Sequence, residues 1–201
     1  MLPSLIVIDD FLSDPHQLRG AALGLGYDPK AQHGNYPGLV SSRALAVRGL
    51  DDAVSARVGV PLVPMAGTSH GHCRITLAGD RGASGVHVDP CFYSGILYLS
   101  PDDQARGGTD FFRHRPTGLD RIPTTDLALA QSGFADVNAA IAQTVNADTL
   151  KPARWEKLMT VPMRFNRLLL FSPWLFHNAA PGFGKTLVNG RLVMLLFFAR
   201  G

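Results

Sequence analysis

Turn-forming residues interrupt this chain every few positions. Its 21 glycines and 14 prolines are spread without a repeat or low-complexity tract, so most elements must be short, as in sheets joined by tight turns. A β-rich architecture with flanking helices is therefore expected. At 201 residues and 46% hydrophobic content the chain can fill one core without splitting, and a single domain spanning 1–201 is expected. "LIVIDDFL" begins as a strand. Ser13-Asp14-Pro15 then supplies an N-cap followed by proline, with Leu18, Ala21, Ala22 and Leu25 on one helical face. "YDPKAQHGNYPG" reads as loop, "DDAVSARV" as a short helix, and "HCRITLAG" as a strand ending in a turn. The amino-terminal 1–60 are thus strand and helix elements. In "YSGILYLS", Ile96, Tyr98 and Ser100 share one side and Leu97 and Leu99 the other, the pattern of a strand that faces a cavity.

Residues from about 118 to 160 change character. "DLALAQSGFADVNAAIAQTVNADTL" is alanine-rich with helical spacing, and "PARWEKLM" opens with proline as a helix start does. Together they read as a helical insert, packed outside the sheets or lying over a cavity as a lid. "RLLLFSP", "WLFHNAAPGFG", "KTLV" and "RLVMLLFFA" then return to strands and turns. Asn189-Gly190 is a strong hairpin signal, which makes Arg191 the first residue of the last strand.

The charge balance excludes several classes. Nineteen basic residues face 16 acidic ones, a net of +3, and the densest basic cluster is Arg113-His114-Arg115, too little for nucleic-acid or membrane binding. Asp9 and Asp10 interrupt the first apolar run, so no leader or spanning segment is expected and the cytoplasm is the expected compartment. The two cysteines, Cys73 and Cys91, imply no disulfide framework.

His87-Val88-Asp89 puts an imidazole and a carboxylate at i and i+2, on one side of an extended segment, where they can bite one ion together. Pro90 places the pair at a strand end. Alone, the pair is weak evidence and reads better as a polar turn. His177 lies at the exit of a strongly apolar strand and can point into the same cavity. Arg191 opens a strand whose same-side neighbours Val193, Leu195 and Phe197 are apolar, so its guanidinium needs an anionic partner. His70 and His72 share a strand face but have no acid placed beside them. Cys91 continues the alternation of His87 and Asp89 and reads as a core thiol.

In order and spacing, His87, Asp89, His177 and Arg191 resemble the His-x-Asp, distant His, then Arg pattern of the Fe(II)- and 2-oxoglutarate-dependent oxygenases, specifically their prolyl-hydroxylase-like branch. Gly107-Gly108-Thr109 before "DFF", and the opening "VIDDFLSDP", add to the resemblance. The ordered match runs from about residue 85 to 199, and the amino-terminal third matches loosely. The resemblance implies a double-stranded β-helix (jelly-roll, cupin-like) core. It also implies a dioxygenase that uses Fe(II), 2-oxoglutarate and O2 to hydroxylate a small-molecule or peptide substrate, releasing succinate and CO2. His87, Asp89 and His177 would be the metal ligands, with no further catalytic residue, and Arg191 would pair with the far carboxylate of 2-oxoglutarate. Many relatives carry Ser or Thr two positions after the arginine. Val193 stands there instead, and Tyr98 is the candidate second donor. Arg113, His72 and Trp155 are candidate substrate contacts, in a pocket lined by the loop at 30–43, the strand around 70–74 and the insert. Asp89 disfavours the halogenating variants. Two readings compete with this one: a cupin-like metal enzyme that does not use 2-oxoglutarate, and a noncatalytic jelly-roll binding domain. The apolar insert offers a surface for a homodimer.

Overall fold

The computed structural model describes residues 2–28 and 36–201, so most of the loop expected over "YDPKAQHGNYPG" lies outside the described residues. Among the described residues, ten strands form two antiparallel sheets. The larger runs β1 (Leu5–Ile8), β8 (Leu168–Phe171), β5 (Tyr93–Tyr98), β10 (Arg191–Arg200), β4 (Cys73–Thr76) and β2 (Leu39–Val40), with β3 (Leu62–Pro64) paired to the far end of β10. The smaller runs β7 (Trp155–Pro162), β6 (Gly108–His114) and β9 (His177–Ala179).

Strand alternation decides what fills each layer. On β10, Leu192, Met194, Leu196 and Phe198 face outward into a core shared with α1 (Pro15–Leu23) and α2 (Leu50–Val58). Its other face puts Val193 and Leu195 between the sheets, against Tyr98, Leu169 and Phe171 from the larger sheet and Phe111 and Val161 from the smaller. β5 divides as its sequence suggests, with Leu97 toward the helices and Ile96 and Tyr98 between the sheets. Asp14 caps α1, its Oδ1 accepting from the Gln17 amide at 3.0 Å.

The insert covers the outer face of the smaller sheet. Here α3 (Asp126–Gln131) is capped by Thr125, and α4 (Val137–Ile141), capped by Asp136, runs into a π-helical turn over Ala142–Asn146. Leu129, Phe134, Ala140 and Val145 pack there on Trp155 and Phe176. Asp148 fastens the end of the insert to β6, lying 3.0 Å from His114 Nε2 and 2.9 Å from Lys151 Nζ.

Two local expectations are corrected. The helix expected to open at Pro152 is a single 3-10 turn, Pro152–Arg154, after which Trp155–Pro162 is strand. The whole length of β6 was open to pairing, and a full ladder from Gly108↔Pro162 to His114↔Trp155 outweighs the helical signal of one proline. "KTLV" forms no strand either. β10 already has β4 and β5 on its two sides and no free edge for a hairpin partner. Asn189 instead closes a turn, its Oδ1 accepting from the Lys185 and Thr186 amides at 2.8 and 2.9 Å. Arg191 remains the first residue of the last strand.

The glycine pair before "TDFF" has a steric cause. A Cβ on Gly108 would lie 1.9 Å from the Val161 carbonyl oxygen, and Gly107, at φ +63°, would bring one within 2.5 Å of the Ala180 side chain. Only glycine lets β6 start this close to its neighbours. Among the described residues, no helix is long and apolar enough to cross a membrane.

Candidate metal centre

His87 and His177 meet through their backbones. The His87 amide donates to the His177 carbonyl at 2.9 Å, and the His177 amide donates back to the His87 carbonyl at 3.0 Å, an antiparallel bridge that extends the smaller sheet past β9. Their rings lie 4.3 Å apart between centroids. Two residues on, the Asp89 amide donates to the Pro173 carbonyl at 3.0 Å. His87 and Asp89 therefore face the same way, and one ligand atom from each of His87, Asp89 and His177 lies within 4.8 Å of the others.

The hydrogen bonds fix the chemistry of each donor atom. His87 Nδ1 lies 2.9 Å from the Gly85 carbonyl oxygen and His177 Nδ1 lies 2.8 Å from that of Leu175. A carbonyl only accepts, so both protons sit on Nδ1 and both Nε2 lone pairs turn toward Asp89. Those nitrogens are 3.8 Å from Asp89 Oδ1 and 3.3 Å from Oδ2. Lone pairs facing a carboxylate this closely need a proton or a cation between them. Ligands at right angles on an octahedral ion stand about 3 Å apart, which is close to these separations. The donor set is two nitrogens and one oxygen on one side, so it fits an ion that must keep further positions open, as ferrous iron does in such triads. Ser94 orients the carboxylate by donating to Asp89 Oδ2 at 2.6 Å.

Burial, reinforced by the His177 ring, pushes the His87 imidazole down to about 4. Burial works to raise the Asp89 carboxyl, but the charge and Nε2–H that His177 gains when it takes up a proton, with a protonated His87 and the Ser94 hydroxyl, outweigh it and hold the carboxyl at about 2. At neutral pH, His87 and Asp89 are thus in the deprotonated forms that bind metal. The His87 value has a consequence for the metal-free protein. Between the ordinary histidine value near 6.5 and about 4, the unfolded chain binds a proton that the folded chain refuses. Stability should therefore fall with pH across that window, by up to about 3 kcal/mol, and level off below it. Thermal melts of chelator-treated protein from pH 7 to 4 measure this, and His87→Gln should flatten the slope. Asp89 acts in the same direction only lower, as pH falls from its unfolded value toward 2.

The triad opens into a cavity of about 310 Å³ between the sheets, walled by Ile96, Phe171 and Leu195. Arg191 lies in the same cavity, 2% exposed, with one guanidinium nitrogen donating to the Gly108 carbonyl at 3.2 Å and Nε buried without a partner. Desolvation lowers its pKa from the ordinary arginine value. Ser94, which holds Asp89, stands opposite Phe197, six residues along β10 from Arg191, so the ligands and the guanidinium occupy opposite ends of one inward face. Tyr98 sits behind this wall. Its hydroxyl is 2.7 Å from Thr109 Oγ1, and Thr109 is the member of the pair that lines the cavity.

The other expected contacts lie elsewhere. Arg113 is exposed and pairs with Glu156 at 3.4 Å. Trp155 is buried under the insert, its indole donating to the Asp148 carbonyl at 2.8 Å. His72 Nδ1 lies 2.9 Å from the Ser41 carbonyl oxygen, and neither cavity described here is lined by it. Of the loop at 30–43, residues 30–35 fall outside the described residues, while Tyr36 and Pro37 line the cavity. Cys91 also lines it, and its thiol, 3.1 Å from the Ser94 hydroxyl, is pushed up to about 12 by burial. Sequence reasoning named the segments that hold Tyr36 and Arg74 without singling out those residues, and missed Thr76, Ser94 and Thr109 as lining residues. The available signal was strand parity: Arg74 and Thr76 alternate with the buried Cys73 and Ile75, and Ser94 shares the side of Ile96.

A second cavity, of about 330 Å³, shares Tyr36, His87, Asp89 and Pro90 with the first and adds Trp174 with Ile141 and Val145 from the insert.

Residues 80–198, which include all three triad residues and Arg191, match a family described as "Family of unknown function (DUF6445)". No curated protein sequence matches the chain. Among solved structures, the chain is similar to the prolyl hydroxylase in complex with hypoxia inducible factor oxygen degradation domain peptide fragment from Trichoplax adhaerens. The identity is 13% and the TM-score 0.51, covering 98% of this chain and 84% of that one. It is similar to HygX from Streptomyces hygroscopicus, solved with nickel and 2-oxoglutarate bound, at 14% identity and a TM-score of 0.51, covering 98% of this chain and 83% of that one. At such identities the likeness shows the fold, a double-stranded β-helix.

Proposed function

We propose that this chain, which belongs to the DUF6445 family, is an Fe(II)- and 2-oxoglutarate-dependent dioxygenase that hydroxylates its substrate with release of succinate and CO2. The observation that carries the proposal is the joint placement, in one cavity, of the His87, Asp89 and His177 donor set and a buried guanidinium, Arg191, whose Nε has no partner. A metal enzyme with no diacid to bind has no use for the arginine, and a noncatalytic domain has no use for lone pairs aimed at one point. The fold shared with the nickel- and 2-oxoglutarate-bound HygX supports the same reading.

His87, Asp89 and His177 would hold the iron. When bound, ferrous iron would let O2 take two electrons from 2-oxoglutarate, which becomes succinate and CO2, and two from a substrate C–H bond, so that one oxygen atom ends in succinate and the other in the new hydroxyl. The chain's own residues do the positioning. Arg191 would pair with the far carboxylate of 2-oxoglutarate in a forked, charge-assisted contact, strengthened by the dry surroundings that lower its pKa. Val193 presents no hydroxyl, so the second donor to that carboxylate is Thr109, whose hydroxyl is held by Tyr98 at 2.7 Å. Burial raises the pKa of Tyr98 and keeps its proton in place. Ile96, Phe171 and Leu195 exclude water from the space between.

Anaerobic titration of the chelator-treated chain with Fe(II) and then 2-oxoglutarate tests the proposal directly. A metal-to-ligand charge-transfer band should grow to saturation at one equivalent of each. A chain that takes up iron without developing the band on addition of 2-oxoglutarate is not this enzyme.

A further inference from the structure

The cavity holds a second arginine that the proposed cosubstrate does not account for. Arg74 stands on β4 opposite Val193, and Arg191 stands opposite Thr76, so the two arginines are diagonal neighbours on one inward face of the sheet. Like charges in that arrangement repel, and here both guanidinium groups are largely removed from water. The Nε of each is buried with no hydrogen-bond partner. Among the described residues, no carboxylate lies within ion-pair distance of either one, and Asp89 is the single acid lining the cavity. Residues 29–35, outside the described set, contain Lys30 and no acid. Among the described residues, Arg74 lies against the Tyr36 ring, 5.2 Å from its guanidinium carbon, and that ring packs in turn, tilted, on His87 at 4.4 Å.

A charge count follows from the proposed function, on which this inference rests. A divalent ion, the Asp89 carboxylate and dianionic 2-oxoglutarate sum to one negative charge, which Arg191, paired with the cosubstrate, cancels. Arg74 is left as one further positive charge with no ion-pair partner among the described residues, in a low-dielectric space where an unpaired ion is costly. Tyr36 links this charge to the second cavity, whose other walls include Ile141, Val145 and Trp174 and which Asp89 alone lines with a charged side chain. We infer that the substrate is an organic carboxylate with an apolar body. Its carboxylate pairs with Arg74 beside Tyr36, and its apolar part fills the cavity beneath the π-helical turn of the insert. Arg74 thereby sets the substrate's orientation and the enzyme selects acids over their neutral amides.

The test uses the full chain loaded anaerobically with Fe(II) and 2-oxoglutarate, with octanoate, 3-phenylpropionate and N-acetylleucine as probes, each beside its primary amide. The acids should raise the melting temperature and bind at least about tenfold more tightly than the amides. Arg74→Gln should erase that preference while leaving 2-oxoglutarate affinity within about threefold of wild type. Arg74→Lys, which keeps the charge, should retain part of it. In the metal-free protein, Arg74→Gln should raise the melting temperature, because an uncompensated charge is removed; a mere prop for Tyr36 would lower it. Amides that bind as well as acids, or a full set of probes that does not bind, overturn the inference while the charge-transfer band leaves the dioxygenase reading intact. A loss of 2-oxoglutarate affinity in Arg74→Gln as large as that in an Arg191 variant also overturns it, by assigning Arg74 to the cosubstrate. A wild-type chain that takes up neither iron nor 2-oxoglutarate overturns both.

Discussion

Asp89→Ala should lower ferrous affinity and substrate-dependent succinate formation by at least about 10³-fold. Changing a residue that only orients a ligand typically costs 10- to 100-fold, and in the proposed site Asp89 would be the anionic ligand itself, the group that offsets the ion's charge. Among the described residues Asp89 is the carboxylate of the cluster, 3.3 and 3.8 Å from the two imidazole nitrogens. Ser94→Ala, which deletes the 2.6 Å bond to Asp89, should fall between, at about tenfold in metal affinity. Isothermal titration with Fe(II) under argon measures both affinities, and succinate release measures the activity. An Asp89→Ala protein that binds iron as wild type does would remove the triad from consideration.

Arg191→Met should separate the two halves of the site. Met fills much of the same volume in the apolar wall formed with Val193 and Leu195, so the fold should persist. Iron affinity should change little, because Arg191 stands at the opposite end of the inward face of β10 from the ligands. 2-Oxoglutarate affinity should drop by about 100-fold, the usual scale for truncating one side of a buried charge-assisted pair. The charge-transfer band would then need far higher 2-oxoglutarate to appear, with unchanged intensity at saturation. A cupin-like enzyme that works without 2-oxoglutarate would show no such shift.

The triad was legible because its signal is local. Two residues at i and i+2 share a side whenever the segment is extended, and His177 and Arg191 bracket apolar runs whose strand character is plain. The face assignments of β5 and β10 follow from the same alternation. What failed depended on partners distant in the chain. Trp155 sits in a segment with a helical start signal, yet the open edge of β6 drew it into a ladder, a choice made by residues 108–114. "KTLV" lost its strand because β4 and β5 already occupy both sides of β10. Arg74 shows the same limit. Parity placed it on one face of "HCRITLAG", but only the register Val193↔Arg74 reveals that this face is the cavity wall shared with Arg191.

The reciprocal backbone hydrogen bonds between His87 and His177 bear on how the proposed iron site would respond when iron is scarce. The two imidazoles are held together by peptide groups, so coordination is not what creates the pocket. A zinc finger collapses when stripped, because its ligands have no other reason to meet. Here the backbone bridge should keep an emptied pocket in shape, so that a chain loaded with iron would lose it to a chelator and reload without first refolding.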